Sequence, residues 1–139
     1  MEARRKRIFV VEDNLENRII TRYALASLNP SLQFDAFGRD VLRRIHEFAP
    51  VDLIILDLMI KGGSSGYTIF RELRSDSQFK TVPIVAVSAA DPGEAMQLCR
   101  ELGFQGFIGK PIDDELFAQQ IQQLIDGAEI WHTPESTFR

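Results

Sequence analysis

Three short, unbroken apolar runs constrain this chain more than any other feature of its sequence: Ile8-Phe9-Val10-Val11, Leu53-Ile54-Ile55-Leu56 and Val82-Pro83-Ile84-Val85-Ala86-Val87. Continuous β-branched runs of this length are what strands of a parallel sheet look like when helices cover both faces. Two weaker strand candidates accompany them. Leu32–Phe37 alternates apolar and polar residues, and Phe104–Ile108 is short and interrupted by Gly106, so both are expected at the edges of the sheet. Helical patterns lie between the strands. The first, 15–28, carries Leu15, Ile19, Ile20, Tyr23, Ala24 and Leu28 at three- and four-residue spacing behind an Asn14 cap. Shorter ones cover 40–48 and 67–74, a fourth opens with the capping signature Asp91-Pro92-Gly93-Glu94, and a fifth covers 114–126. Strict alternation of strand and helix predicts an α/β doubly wound parallel sheet of five strands and five helices, with right-handed crossovers.

A chain of 139 residues suits one domain with a single core. The expected organisation is a basic leader over 1–6, a folded body over 7–126 and a C-terminal tail over 127–139. For the tail, a frayed end and docking through Trp131 both stay open. The net charge is −4, and the run Arg4-Arg5-Lys6-Arg7 masks a still more acidic body. That balance argues against a nucleic-acid partner, and the basic run itself is expected to be a solvated leader. The lone Cys99 excludes a disulfide framework and a cysteine-rich zinc site; it reads as a small buried hydrophobe. No apolar run approaches the roughly 18 residues needed to span a bilayer, so no membrane partner and a cytoplasmic location are expected.

In an open parallel sheet, ligands bind beyond the carboxyl ends of the strands, where strand order reverses. The first strand ends in Glu12-Asp13, the third in Asp57, the fourth in Ser88 and the fifth in Lys110-Pro111. Three carboxylates, a hydroxyl and an ammonium therefore converge on one edge. Two carboxylates about 4 Å apart repel by roughly 4 kcal/mol at an effective dielectric of 20. Three together need a cation or raised pKa values. An oxygen-only cluster without histidine or thiol suits Mg²⁺ or Mn²⁺ rather than zinc. Asp57 can serve there as a metal ligand or as a nucleophile that accepts a phosphoryl group. Lys110 and the Ser88 hydroxyl would then face the phosphoryl oxygens.

With Val10-Val11-Glu12-Asp13-Asn14, Leu53-Ile54-Ile55-Leu56-Asp57, Val85-Ala86-Val87-Ser88-Ala89 and Gly109-Lys110-Pro111 in order, the chain resembles the receiver domain of two-component response regulators. This is the fold shared with the chemotaxis response regulator, and the resemblance covers residues 7–126. It implies a flavodoxin-like sheet of order 2-1-3-4-5 with Asp57 as phosphoacceptor. It implies Mg²⁺ (or Mn²⁺) bound by Asp13, Asp57 and the Met59 backbone carbonyl, with Glu12 acting on the metal through water. Ser88 and Lys110 would hold the phosphoryl oxygens, Ser88 and Phe107 would form the switch, and the Lys110–Pro111 bond would be cis. The implied partners are a histidine kinase or phosphotransfer protein, an unknown downstream protein, and a second copy bound through the face of the fourth helix, fifth strand and fifth helix. Met96, Gln97 and Arg100 are candidate exposed residues of that face. The implied chemistry stops at Mg-dependent self-phosphorylation and self-dephosphorylation, short of an enzyme.

The loop after Asp57 departs from the family pattern. Lys61 stands where receivers usually have proline, and Gly62-Gly63-Ser64-Ser65-Gly66 runs one residue longer, so a more mobile loop is expected. An alternative is a phosphatase with an aspartate nucleophile. It would need a second acid two residues after Asp57, where Met59 stands. A degenerate, phosphorylation-independent receiver is the other alternative, and the full set of acids, hydroxyl and lysine argues against it. The 139 residues hold no further output domain, so a stand-alone receiver is expected.

Overall fold

The computed structural model describes residues 4–62 and 65–134. Along the chain run β1 (Arg7–Val11), α1 (Leu15–Ala24), β2 (Ser31–Asp35), α2 (Val41–Phe48), β3 (Leu53–Leu56) and α3 (Gly66–Ser75). They are followed by β4 (Ile84–Ser88), α4 (Pro92–Leu102), β5 (Gly106–Gly109), α5 (Phe117–Ile125) and β6 (Ile130–His132). Short 3-10 turns at Ala26–Leu28 and Ser77–Phe79 complete the set. The strands form one sheet in the order β2-β1-β3-β4-β5-β6, and every adjacent pair is parallel.

The period of two along each strand sorts side chains into two cores. Phe9, Val11, Ile54, Leu56, Ile84, Ala86 and Phe107 pack on one face with Val41 and Ile45 of α2, Ile69, Phe70 and Leu73 of α3, and Ala95 and Cys99 of α4. Ile8, Val10, Leu53, Ile55, Val85, Val87 and Ile108 point the other way, onto Ala24 and Leu25 and onto Phe117, Ile121 and Leu124 of α5. Both faces are thus covered, which is why these runs are apolar throughout. Asn14 caps α1 by accepting the Asn17 N–H at 2.9 Å, as expected. Asp91 occupies the cap position of α4, but its side chain makes no capping bond. There Pro92 presets the first turn, and the Asp91 carbonyl accepts from Ala95 N–H at 3.0 Å.

Three expectations need correction. The sheet has six strands, not five, because part of the tail docks as β6. β5 is therefore an interior strand, and Trp131 lies beside it rather than fraying. Only part of the apolar pattern expected of the first helix, Ala24 and Leu28, faces the core. Leu15, Ile19 and Tyr23 are exposed, while Thr21, Ala24 and the adjoining Leu25 meet the sheet. Ala24, Leu25 and Leu28 pack with the strand residues of the second core, on the side of the helix opposite Leu15, Ile19 and Tyr23. The basic run is solvated at Arg4 and Arg5, yet it also makes contacts with the body. Arg4 grips both Asp52 carboxylate oxygens at 2.9 Å, and Arg7 donates to the Pro50 carbonyl at 2.9 Å and to that of Phe48 at 2.5 Å, with its guanidinium over the Phe48 ring. These contacts fix the entry to β3, at the end of the sheet away from the strand carboxyl ends. On α4, Gln97 and Arg100 are exposed and Met96 is half-buried against the core. Among the described residues, no helix is long and apolar enough to cross a membrane.

Cys99 is fully buried, and desolvation pushes its thiol up to about 12. The thiolate is the reactive form. A thiol-specific chromogenic reagent should therefore leave the native protein unmodified and react stoichiometrically after denaturation. Rapid labelling of the native state would contradict the burial.

Candidate functional site

Strand order reverses between β1 and β3, and a cleft of about 420 Å³ opens there beyond the strand carboxyl ends. Glu12, Asp13, Asp57, Met59, Lys61, Ala89 and Lys110 are among the residues that line it. Asp57 directly follows β3. Its N–H extends the ladder to the Val11 carbonyl at 3.0 Å, and its side chain is buried at 7% exposure. One carboxylate oxygen accepts the Met59 N–H at 3.0 Å, and the other accepts Lys110 Nζ at 3.0 Å. The same ammonium donates to Glu12 at 2.5 Å, so Lys110 ties the ends of β1 and β3 together from the end of β5. The Lys110–Pro111 bond is cis.

The acid pair after β1 is held at both side chains and backbone. The second Glu12 carboxylate oxygen accepts the Asn14 N–H at 3.1 Å. Asp13 is less buried and accepts the backbone N–H of Lys61 at 2.9 Å. Arg18 donates to the carbonyls of both Glu12 and Asp13 at 3.0 Å. Sequence reading missed Arg18, although its place on the first helical turns after the acid pair was a usable signal. It also missed Gly66, read as part of a pliant loop. A Cβ at Gly66 would collide with the Asp57 carbonyl oxygen and lie 2.8 Å from the Leu58 Cα, so only glycine lets α3 start against the Asp57 backbone. Gly63 and Ser64 of that loop lie outside the described residues.

Burial pushes the Glu12 carboxyl above the usual range, against the opposing pull of Lys110 and the Asn14 N–H. Burial works to lower the Lys110 pKa, but its hydrogen bonds to Glu12 and Asp57 outweigh it and leave the ammonium above its ordinary value. A cation whose folded pKa is raised contributes stability in full below its unfolded value and loses it only as pH climbs through the folded value. The Lys110 contribution therefore persists across the neutral range.

Glu12, Asp13 and Asp57 each present an oxygen within 4.8 Å of the others. With Lys110 counted, the cluster keeps an excess of two negative charges. An all-oxygen donor set with that excess fits a hard divalent cation. The structure thus gathers Glu12, Asp13, Asp57, Met59 and Lys110 around one cleft. Ser88 stands apart from its lining: it is fully buried behind Ala89, and its hydroxyl oxygen accepts the Ala90 N–H at 3.2 Å. Phe107 is also fully buried, in register between Ala86 of β4 and Trp131 of β6.

Comparison with known proteins decides the family. The family model described as the response regulator receiver domain matches residues 8–122. The chain belongs to the response regulator receiver family. Hybrid signal transduction histidine kinase A of Dictyostelium discoideum is 30% identical over 112 residues, which are 79% of this receiver and 5% of that kinase. This receiver thus spans only a small part of the hybrid kinases it matches. The polar-differentiation response regulator DivK of Brucella ovis is 26% identical, over 88% of this chain and 98% of that protein. Among solved structures, the chemotaxis response regulator CheY4 of Vibrio cholerae shares the fold. Its TM-score is 0.77 at 23% identity, over 87% of this receiver and 99% of that chain.

An Asp13→Asn substitution keeps an acceptor for the Lys61 N–H but removes one charge from the cluster. Mg²⁺ affinity by titration should fall about tenfold or more, a change of roughly 1.4 kcal/mol. The metal-free melting temperature should hold or rise, because like-charge repulsion is relieved. An unchanged Mg²⁺ affinity would remove Asp13 from the metal site.

Proposed function

We propose that this receiver accepts a phosphoryl group on Asp57 from a histidine kinase or phosphotransfer protein, with Mg²⁺ as cofactor, and signals through the resulting change of its surface. The observation that carries the reading is the Asp57 carboxylate, buried at the switch-point cleft and held at one oxygen by Met59 N–H and at the other by Lys110. In the transfer, an Asp57 carboxylate oxygen forms a bond to phosphorus as the donor's nitrogen–phosphorus bond breaks, giving an acyl phosphate. The Lys110 ammonium, favoured by its hydrogen bonds to Glu12 and Asp57, would provide one positive charge for the phosphoryl oxygens. Asp13, Asp57 and the Met59 carbonyl would hold Mg²⁺ directly, with Glu12 reaching it through water. Bound there, Mg²⁺ supplies charge neutralisation at the phosphoryl oxygens. The Ser88 hydroxyl joins once it leaves the Ala90 N–H, which links phosphorylation to movement of the loop after β4.

The donor surface follows from α1. Leu15 lines the cleft, and with Ile19 and Tyr23 it forms an exposed apolar stripe at four-residue steps. Such a stripe suits an amphipathic helix presenting its phosphohistidine at the cleft mouth. The DivK relatives, matched over 98% of their length, support a receiver that works as a single domain, and we place it in the cytoplasm. Its chemistry ends at its own acyl phosphate, and we assign it no turnover of an outside substrate.

Incubation with Mg²⁺ and acetyl phosphate should add one phosphoryl group to the wild type, read by intact mass, and none to Asp57→Asn. No addition to the wild type refutes the phosphoacceptor reading.

Loss of the acyl phosphate needs water attacking in line, and flanking polar groups orient that water. The flanking positions are Met59, exposed at the cleft, and Ala90. Self-dephosphorylation should therefore be slow. A Met59→Asn, Ala90→Glu double variant should speed it about tenfold, the effect of roughly 1.4 kcal/mol in the barrier. Equal decay of the two phosphoproteins would show that these positions do not set the lifetime.

A further inference from the structure

β6 pairs with β5 through Gly106↔Ile130, Phe107↔Trp131 and Ile108↔His132. Its docked position is written into β5 itself. A Cβ at Gly106 would collide with the Ile130 carbonyl oxygen, and one at Gly109 would lie 2.9 Å from Pro134 Cδ. Two of the four residues of β5 are thus glycines whose missing side chains leave room for this segment.

The hold is nevertheless light. All three β6 residues are only half-buried, whereas every residue of β3, β4 and β5 is buried. The segment is reached through Gly127, exposed and at φ 101°. Besides the ladder, it is fixed by the Ile130 N–H to the Gln105 carbonyl at 3.2 Å. Arg100 of α4 adds a cation–π contact, 4.6 Å from the centre of the Trp131 ring. The Trp131 indole N–H bonds Glu129 of the same segment, which anchors nothing outside it. A short, half-buried edge strand on a glycine hinge belongs to the part of a fold that opens first.

What this strand covers is the path from the phosphorylation site. Trp131 and Phe107 are register neighbours, so their side chains share one face of the sheet, and Trp131 packs against the core cluster that contains Phe107 and Cys99. Phe107 in turn neighbours Ala86, two residues before Ser88 on β4. Drawing Ser88 toward a phosphoryl group on Asp57 shifts the β4–β5 edge under Trp131 and disturbs the close fit that the glycines permit.

We propose that β6 is an intramolecular strap over the α4–β5 face, docked while Asp57 is unmodified and released when Asp57 carries a phosphoryl group. The proposal rests on the phosphoacceptor reading of Asp57. Release uncovers the β5 edge and frees the Arg100 guanidinium, so the strap decides when that face becomes a surface. Coupling between two sites is reciprocal. If the phosphoryl group weakens strap docking by some factor, loosening the strap strengthens binding of a phosphoryl mimic by the same factor.

Trp131 is the only tryptophan of the chain, so its fluorescence reads the strap without a label. The full chain is titrated with beryllofluoride in Mg²⁺, and occupancy is followed independently by fluorine NMR. Binding should shift the Trp131 emission to the red, raise its quenching by acrylamide and speed hydrogen exchange of amides 130–132. Gly106→Ala should show the open signature without the mimic. Should that variant fail to fold, Trp131→Ala carries the test through affinity: it should bind beryllofluoride about threefold or more tighter than wild type. Bound mimic with unchanged or more protected Trp131 overturns the strap and leaves the phosphoacceptor reading standing. Equal affinity of wild type and Trp131→Ala does the same. A protein that binds no mimic and gains no phosphoryl mass overturns both.

Discussion

The carboxyl edge of this sheet depends on one ammonium group. Lys110 lies 98 residues from Glu12 and 53 from Asp57, yet hydrogen-bonds both. Its main contribution is not stability. Taking charges out of water costs several kcal/mol per ion, which mutual attraction offsets only when the geometry is good and the remaining acceptors are filled. Here the second oxygen of each acid is filled by a backbone N–H, from Asn14 for Glu12 and from Met59 for Asp57. The result is a pair of carboxylates anchored in place yet still facing a cleft. It also makes register exacting. A one-residue slip of β3 would turn every side chain to the opposite face and carry Asp57 away from Lys110.

That dependence explains which parts of the molecule were readable from sequence. Apolar runs such as Leu53–Leu56 report that both faces are covered, and the residue closing each run reports what reaches the carboxyl edge. Glu12, Asp13, Asp57 and Lys110 were therefore legible together, as were the doubly wound layers and the Asn14 cap. β6 was not. Three residues behind a glycine carry no period, and the feature that shows they dock is the pair of glycines on a different strand. Gly106 looked like a weakness in β5, when its missing side chain is what admits Ile130. Gly66 misled in the same way, since its backbone packs against Asp57.

The face of α1 illustrates a second limit. Spacing of three and four residues establishes that Leu15, Ile19 and Tyr23 share a stripe, but it carries no information on what covers that stripe. The opposite side of the helix, with Thr21, Ala24 and the adjoining Leu25, is the side that is buried. An apolar stripe left exposed beside a polar cleft is the pattern expected of a binding edge rather than of a core. The basic run was legible only in part for a related reason. Local composition suggested solvation, whereas Arg4 and Arg7 find acceptors at Asp52, Phe48 and Pro50, more than forty residues along the chain.

Stability is graded across the sheet, and the grading bears on where a signal can surface. β3 and β4 are buried along their whole length and clasped between two hydrophobic layers. β2 is half-buried over most of its length, and β6 throughout. A charge placed on Asp57 supplies a fixed differential free energy, and it can move an equilibrium only by that amount. A tightly packed interior strand has no alternative state within such reach, because interiors close-packed on both faces do not deform gradually. The strands nearest Asp57 would therefore shift only as packed units and pass a displacement outward, while a loosely held outer strand is the part that opens. Of the two outer strands, β2 adjoins β1 through five register pairs and ends in Asp35, whose buried carboxylate accepts the Phe37 and Gly38 N–H groups. Among the described residues, β6 has three register pairs and no such buried anchor. On the proposed phosphoacceptor reading of Asp57, this gradient, rather than distance from Asp57, favours the β5–β6 side as the place where a change there would be expressed.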